Sequence, residues 1–157
     1  MKFMVTKDLK FSRFYTVLIT ALTAAMLLFL ILDVVLHGYL IGADMTAMKT
    51  TLYGNPETFE EPILFDSLLL QVHIDLFITL FLVMILASLL IRFSTQARPI
   101  KVMVHLLFVT GALTPLLLLA AYFWGEVFLY LWLAGFALWH LLGVTSGVMV
   151  VRHLVLR

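Results

Sequence analysis

The sequence predicts an all-α integral membrane protein, a four-helix bundle that runs up-down-up-down with both termini in the cytoplasm. Three observations support this fold class: the apolar composition, four long apolar stretches, and basic residues that sort to one side. Of the 157 residues, 64% are hydrophobic and 12% are charged, whereas soluble domains carry about 25% charged residues. The chain is therefore too apolar for a water-soluble domain.

Four apolar stretches are long enough to cross a membrane, at residues 14–36, 62–91, 102–123 and 127–151. Each holds about 20 residues or more, which spans a hydrocarbon core of about 30 Å. Each is expected to be a helix, because an open strand edge leaves backbone groups unsatisfied in lipid. We therefore predict a single transmembrane domain over residues 1–157. The first stretch is longer than the apolar core of a cleavable signal peptide, so we expect a membrane anchor.

Basic residues mark one side of the predicted bundle. Four precede the first span, three lie between the second and third, and two stand at the end of the fourth, which leaves Lys49 alone on the other side. Short cytoplasmic loops carry an excess of Lys and Arg, so this pattern predicts a prokaryotic-type inner membrane protein with both ends inside. Residues 1–13 mix basic and apolar side chains, which fits either an interfacial helix or an ordinary basic flank.

The first connector, residues 38–61, is much longer than the other two. Asp44 predicts the cap of a short amphipathic helix through Lys49, and Gly54-Asn55-Pro56 predicts a turn. Loops of such length are often lids, binding loops or linkers. The sequence does not decide whether this loop covers the polar residues at membrane depth.

Small residues indicate where helices pack closely. Gly143 and Gly147 form a G-x-x-x-G pattern in the fourth span, which permits close approach of another helix in lipid. In the third span, Pro115 removes the donor for the carbonyl of Gly111 and predicts a kink there.

Ionisable side chains inside the predicted spans are the main functional indication. An aspartate at the centre of a transmembrane helix costs about 2.5–3.5 kcal/mol on insertion scales, so such residues need a partner or a function. Asp75 is the most costly, because it lies roughly 25 Å from the inner boundary at Arg92 by the helical rise. The other candidates are Asp33, Asp66, His73, His105 and His140, with His37 at an outer helix end.

Helical spacing groups these residues on shared faces. Asp33 and His37 are four residues apart and lie on one face of the first span. In the second span, Gln71 and Asp75 lie on one polar face together with Ser67 and Thr79. A second polar face, nearly opposite, carries Asp66 and His73.

The first hypothesis is an outward-facing metal site with four ligands, namely Asp33, His37, His73 and Asp66. Imidazole and carboxylate ligands suit copper, zinc or iron. Asp75 and Gln71 are then expected to handle protons or to support the ligands, with Asp75 as a substitute ligand for Asp66. The spacing resembles the Asp/His/His copper site in C subunits of membrane-bound methane and ammonia monooxygenases, but departs from it in the separation of the two helices' ligands. The alternative is a hydrogen-bonded Asp–His pair without a metal.

The second hypothesis is a b-type haem held by two of three histidines, His73, His140 and His105. Such haems occur in membrane anchor subunits of respiratory oxidoreductases, and bundle cofactors are held by side chains on facing helices. His73 and His140 differ in depth by about 5–10 Å, depending on where the second helix begins. For His140, a core histidine bonded to a neighbouring helix remains the alternative.

The third hypothesis is a non-catalytic accessory or assembly subunit of a larger membrane complex. Its partners would be the lipid bilayer and other membrane subunits or a second copy, and no basic patch suggests nucleic acid. The chain has no cysteine, and it lacks a nucleophile elbow, a Gly-rich phosphate loop and an H-E-x-x-H helix. We therefore predict a small redox-associated inner-membrane subunit with a metal or haem site in the outer half, with the accessory role as the alternative. Enzyme activity of the isolated chain is not indicated.

Overall fold

The computed structural model describes residues 13–93 and 98–155, which contain five helices and no strand. The helices are α1 (Arg13–Leu40), α2 (Met45–Tyr53), α3 (Phe65–Phe93), α4 (Arg98–Trp124) and α5 (Glu126–Val155). The four long ones are each long and apolar enough to cross a membrane. The all-α transmembrane bundle is therefore confirmed. The possible interfacial helix falls mainly on residues 1–12, which lie outside the described residues. The same holds for residues 94–97, in the connector between the second and third spans.

Each predicted span overlaps one long helix. The helices extend a few residues beyond the predicted limits, except at the start of α3, which begins at Phe65 rather than at residue 62. Pro99 lies in the first turn of α4, where the N–H that proline lacks would have had no helical partner. α4 is continuous through Pro115. The missing N–H of Pro115 leaves the carbonyl of Gly111 without its usual helical donor.

The long connector is an ordered structure. We call residues 41–64 the outer lid, after the side of the membrane on which the sequence predicts them. The Asp44 side chain accepts a hydrogen bond from the backbone N–H of Ala47 and caps α2 as predicted. Gly54 ends the helix at φ 75°, a left-handed conformation that glycine adopts without strain. Backbone hydrogen bonds then join Asn55 and Glu60 in a tight turn.

The outer lid closes the outer end of the bundle. Its buried side chains form one apolar layer with residues of α3, α4 and α5, here called the outer layer: Ile41, Met48, Leu52, Leu68, Val72, Leu118, Ala121, Leu129 and Trp132. The Tyr53 hydroxyl donates to the Ala121 carbonyl over 3.0 Å. Lys49 Nζ lies 2.6 Å from Glu126 Oε2, and this carboxylate raises the pKa of the Lys49 amine.

α5 is the central helix of the bundle, because it packs against α1, α3 and α4. α1 packs chiefly on α5 rather than on α3, its neighbour among the long helices. The G-x-x-x-G pattern explains this contact, since a Cβ on Gly143 would lie 2.9 Å from Leu30 and one on Gly147 would lie 2.7 Å from Leu27. The predicted close approach at these glycines is confirmed.

Below the lid end, apolar side chains of all four long helices form a second layer, here called the inner layer. Its buried members are Met26, Leu30, Leu82, Val83, Leu86, Ala87, Leu90, Phe93, Val104, Leu107, Trp139 and Val150. Gly111 lets α3 approach α4 at the top of this layer, because a Cβ there would lie 2.9 Å from Thr79 Cγ2 and 3.0 Å from Val83 Cγ2.

We expect Gly111→Ala to lower the free energy of unfolding by about 1–3 kcal/mol, because the β-branched side chains of Thr79 and Val83 move little to admit a methyl group. Gly38→Ala is the matched control, since a Cβ at Gly38 meets nothing within 4 Å. It should be neutral or stabilise by up to about 1 kcal/mol. Thermal unfolding in detergent measures both, and equal stability of the two variants would contradict this packing.

Candidate metal centre

Four ionisable side chains meet at membrane depth, and we call them the polar cluster. α1 supplies Asp33 and His37, α3 supplies Asp75, and α5 supplies His140. His37 and His140 are only 5% and 9% exposed. The cluster lies between the two apolar layers, so its groups have few partners other than each other.

His37 joins α1 to α3. Its Nδ1 lies 3.0 Å from the Asp33 backbone carbonyl, one turn earlier on the same helix, and 3.4 Å from Asp33 Oδ1. A carbonyl oxygen only accepts hydrogen bonds, so Nδ1 is the nitrogen that donates. This leaves Nε2 facing Asp75 Oδ2 at 3.0 Å. The backbone of α1 thus fixes which ring nitrogen faces the neighbouring helix.

Asp75 is held from both sides. Its Oδ2 contacts His37, and its Oδ1 accepts a hydrogen bond of 2.8 Å from Gln71 Nε2. Gln71 precedes Asp75 by one helical turn, as the polar face of α3 predicted. Both carboxylate oxygens of Asp75 therefore have a partner inside the bundle.

His140 joins α5 to α1 in the same manner. Its Nδ1 donates to the Phe136 carbonyl over 2.8 Å, and its Nε2 lies 3.1 Å from Asp33 Oδ2. The second contact is short, but the ring nitrogen does not have hydrogen-bond geometry toward this oxygen. The two atoms are close neighbours that are not aligned on each other.

A repeated arrangement follows from these contacts. In both histidines Nδ1 is bonded to a carbonyl of its own helix, and Nε2 is presented to an aspartate of another helix. A neutral imidazole has a lone pair at Nε2, and a carboxylate oxygen also carries lone pairs. A cation, either a proton or a metal ion, must therefore accompany each contact to make it attractive.

Three of these residues could hold a metal ion. Asp33, His37 and Asp75 each offer one ligand atom, and the three atoms lie within 4.8 Å of one another. In a tetrahedral site with bonds of 2.0–2.1 Å, ligand atoms are about 3.3 Å apart. Small side-chain rotations would bring the three atoms to that separation. Metal-bound histidines commonly donate their other nitrogen to a carbonyl, as His37 does here.

A small cavity of about 10 Å³ adjoins the three candidate ligands. Its walls include Trp132 from the outer layer and Trp139 from the inner layer, together with Gly111 and Thr114 of α4. A cavity of this size has room for about one water molecule.

The structure brings together only some of the predicted site residues. Asp33 and His37 meet Asp75 and Gln71, and His140 joins them. The predicted metal ligands His73 and Asp66 are instead exposed on the face of α3 that points away from the bundle. The opposite face of that helix, with Gln71 and Asp75, points toward the bundle. The structure thus groups Asp75, rather than Asp66 or His73, with Asp33 and His37.

The three histidines predicted for haem do not share a buried site. His73 on α3 and His105 on α4 are both exposed, and only His140 is buried. The contact between His140 and Asp33 was missed by sequence reasoning. Its one available indication was that both residues are polar groups in otherwise apolar helices.

Comparison with known proteins supports the membrane assignment. Residues 42–157 match the family Aq_1264_TM, described as a transmembrane helical domain. The match covers well over half of the chain, so the chain belongs to this family. No curated protein and no solved structure matches the chain. The matched region contains Asp75 and His140, whereas Asp33 and His37 precede it.

We expect Asp75→Ala to lower the free energy of unfolding of the metal-free protein by about 1–3 kcal/mol, because Gln71 and His37 both lose a buried partner. Asp66→Ala on the same helix is the control. Asp66 is exposed in the first turn of α3, where its loss removes only a helix-dipole interaction of about 0.3–1 kcal/mol. Unfolding in detergent compares the two variants. A smaller effect of Asp75→Ala than of Asp66→Ala would contradict the buried network.

Proposed function

We propose that the protein is a small membrane subunit that holds one divalent transition-metal ion through Asp33, His37 and Asp75. The observation that carries the proposal is the convergence of three ligand atoms from two helices within 4.8 Å. Burial makes this convergence informative, because exposed acidic groups often cluster without binding anything, whereas buried charges must be paired or coordinated.

The surrounding contacts support ligand roles for these residues. The Asp33 carbonyl orients the His37 ring, Gln71 holds Asp75, and His140 lies against Asp33. Partners of this kind fix the orientation of metal ligands in proteins. We assign Gln71 and His140 to this supporting role rather than to direct coordination.

The ligand chemistry favours a divalent ion such as zinc, iron or Cu(II) over Cu(I). Two carboxylates and one imidazole contain no sulfur, and oxygen and nitrogen ligands suit these ions better than Cu(I). Met48, the buried methionine of the lid, could offer sulfur, but it lies in the outer layer rather than in the polar cluster. Iron or copper would give the subunit a redox role, whereas zinc would act only as a Lewis acid.

A haem is less well supported than a single ion. Two of its three candidate histidines are exposed, and the cavity at the polar cluster is about 10 Å³. Sites for organic ligands typically occupy about 300–1,000 Å³.

The alternative, an accessory subunit without a cofactor, is favoured by one feature. Asp66 and His73 are exposed on a face of α3 that otherwise presents large apolar residues such as Leu70 and Phe77. Polar groups on such a face are costly against lipid, and another subunit or a second copy that covers them would remove this cost.

We expect the purified, chelator-treated protein to bind about one Zn²⁺ or Fe²⁺ per chain, measured by calorimetry and elemental analysis in detergent. His37→Ala should weaken binding by more than about 100-fold, because removal of a ligand exceeds the 10–100-fold effect typical of its outer partners. His73→Ala is the matched control and should bind as the parent protein does. Absence of binding, or equal loss in both variants, would reject the site, and the accessory role would remain.

We further propose that both termini are cytoplasmic and that the outer lid faces the periplasm across an inner membrane. The distribution of basic residues supports this orientation. A fluorescent protein fused after Arg157 should therefore fluoresce, and alkaline phosphatase fused after Glu57 should be active. If the phosphatase fusion is inactive and the fluorescent fusion is dark, the protein has the reverse orientation in the membrane.

A further inference from the structure

α4 forms one wall of the cavity, and one backbone carbonyl of this helix lacks the N–H group that would normally donate to it. Pro115 lies inside α4 and lines the cavity together with Gly111. Because proline has no N–H, the Gly111 carbonyl cannot receive the hydrogen bond normal for its position in the helix. A carbonyl in this situation accepts from another group when one is within reach.

Thr114 supplies a second polar group to the same wall. Thr114 is 4% exposed, and no described protein group hydrogen-bonds to its hydroxyl. The neighbouring Thr110 behaves differently, because its hydroxyl donates to the Leu106 carbonyl over 2.7 Å. A buried hydroxyl without a partner is costly, typically by about 1–3 kcal/mol. We therefore expect the Thr114 hydroxyl to bond to a group other than the described protein atoms.

The Thr114 hydroxyl lies close to α5 at Gly135, where the absence of a side chain makes room for it. A Cβ on Gly135 would lie 2.9 Å from Thr114 Oγ1. Thr114 also lines the cavity that Asp33, His37 and Asp75 line. Gly111, Thr114 and the three candidate metal ligands thus line one space the size of a water molecule. A buried water needs two to four polar partners, and these residues offer a carbonyl, a hydroxyl and the ligand side chains.

We propose that this cavity binds one oxygen ligand the size of water, a water or hydroxide, held by the Thr114 hydroxyl and the Gly111 carbonyl. This inference rests on the proposed metal site, whose three protein ligands the water would complete to four. Three protein ligands and one water are the arrangement of reactive zinc sites, whereas purely structural sites have four protein ligands. Thr114 is accordingly a positioning residue for the exchangeable ligand.

The size of the cavity also sets its selectivity. A volume of about 10 Å³ holds about one water molecule. The Thr114 side chain bounds the cavity. Its removal would therefore change which small ligand the cavity accepts, and it would leave the three protein ligands of the metal in place.

The test uses the full-length protein in nanodiscs, loaded with Cu²⁺ as a paramagnetic probe and transferred from H₂O to D₂O. Pulsed electron–nuclear double resonance then detects exchangeable protons of a water bound to the ion. We expect the parent protein and Thr110→Val to show this signal, and Thr114→Val to show it at least about tenfold more weakly, as for loss of an outer partner. Both variants should still bind copper, with Thr110→Val close to the parent and Thr114→Val weakened by no more than the roughly 10–100-fold typical of an outer partner. An undiminished signal in Thr114→Val would overturn the inference.

A second measurement separates this inference from the metal proposal. If the parent protein binds no copper, the proposed function fails, and an experimental high-resolution structure of the metal-free protein decides the water site. Ordered density within hydrogen-bond distance of both Thr114 Oγ1 and the Gly111 carbonyl oxygen would support it. A Thr114 hydroxyl bonded to a carbonyl of its own helix would overturn it.

Discussion

Pairing of carboxylates with imidazoles at membrane depth is the interaction on which the arrangement of the helices depends. An unpaired charge among apolar side chains is costly, and the partners here lie on different helices. His37 of α1 reaches Asp75 of α3, and Asp33 of α1 reaches His140 of α5. α1 is the least buried of the four long helices. The polar cluster, together with the leucines that pack on Gly143 and Gly147, therefore determines where α1 docks and how it is rotated.

The bundle protects this pairing by placing an apolar layer on each side. Trp132 belongs to the outer layer and Trp139 to the inner layer, and both line the cavity beside the polar cluster. The outer lid contributes Ile41, Met48 and Leu52 to the outer layer. Its ion pair between Lys49 and Glu126 is exposed to solvent, and pairs of this kind contribute little to stability. Apolar packing rather than charge is thus what closes the lid over the site.

Sequence reasoning identified the spans, the cap of α2 and the pairing face of α1, because each rests on local spacing. It failed at the rotation of α3. Apolar residues surround that helix on all sides, so periodicity could not choose between the face of Asp75 and the face of His73. The large aromatic residues Phe77 and Phe81 near His73, which are exposed, indicated the lipid side. The contact of His140 with Asp33 depends on how α1 sits on α5, and no local pattern encodes a contact between helices so distant in sequence.

The division of the site between helices has a thermodynamic consequence. Asp75, His140 and Thr114 belong to the region that matches the family, whereas Asp33 and His37 lie on α1, which precedes it. A metal ion held by Asp33, His37 and Asp75 would bind tightly only when α1 is docked. A ligand that binds one state selectively stabilises that state by an amount that grows with its concentration. Ion binding and docking of α1 would therefore reinforce each other, and the scaffold of α2 to α5 would supply Asp75 and most of the cavity walls against which α1 completes the site.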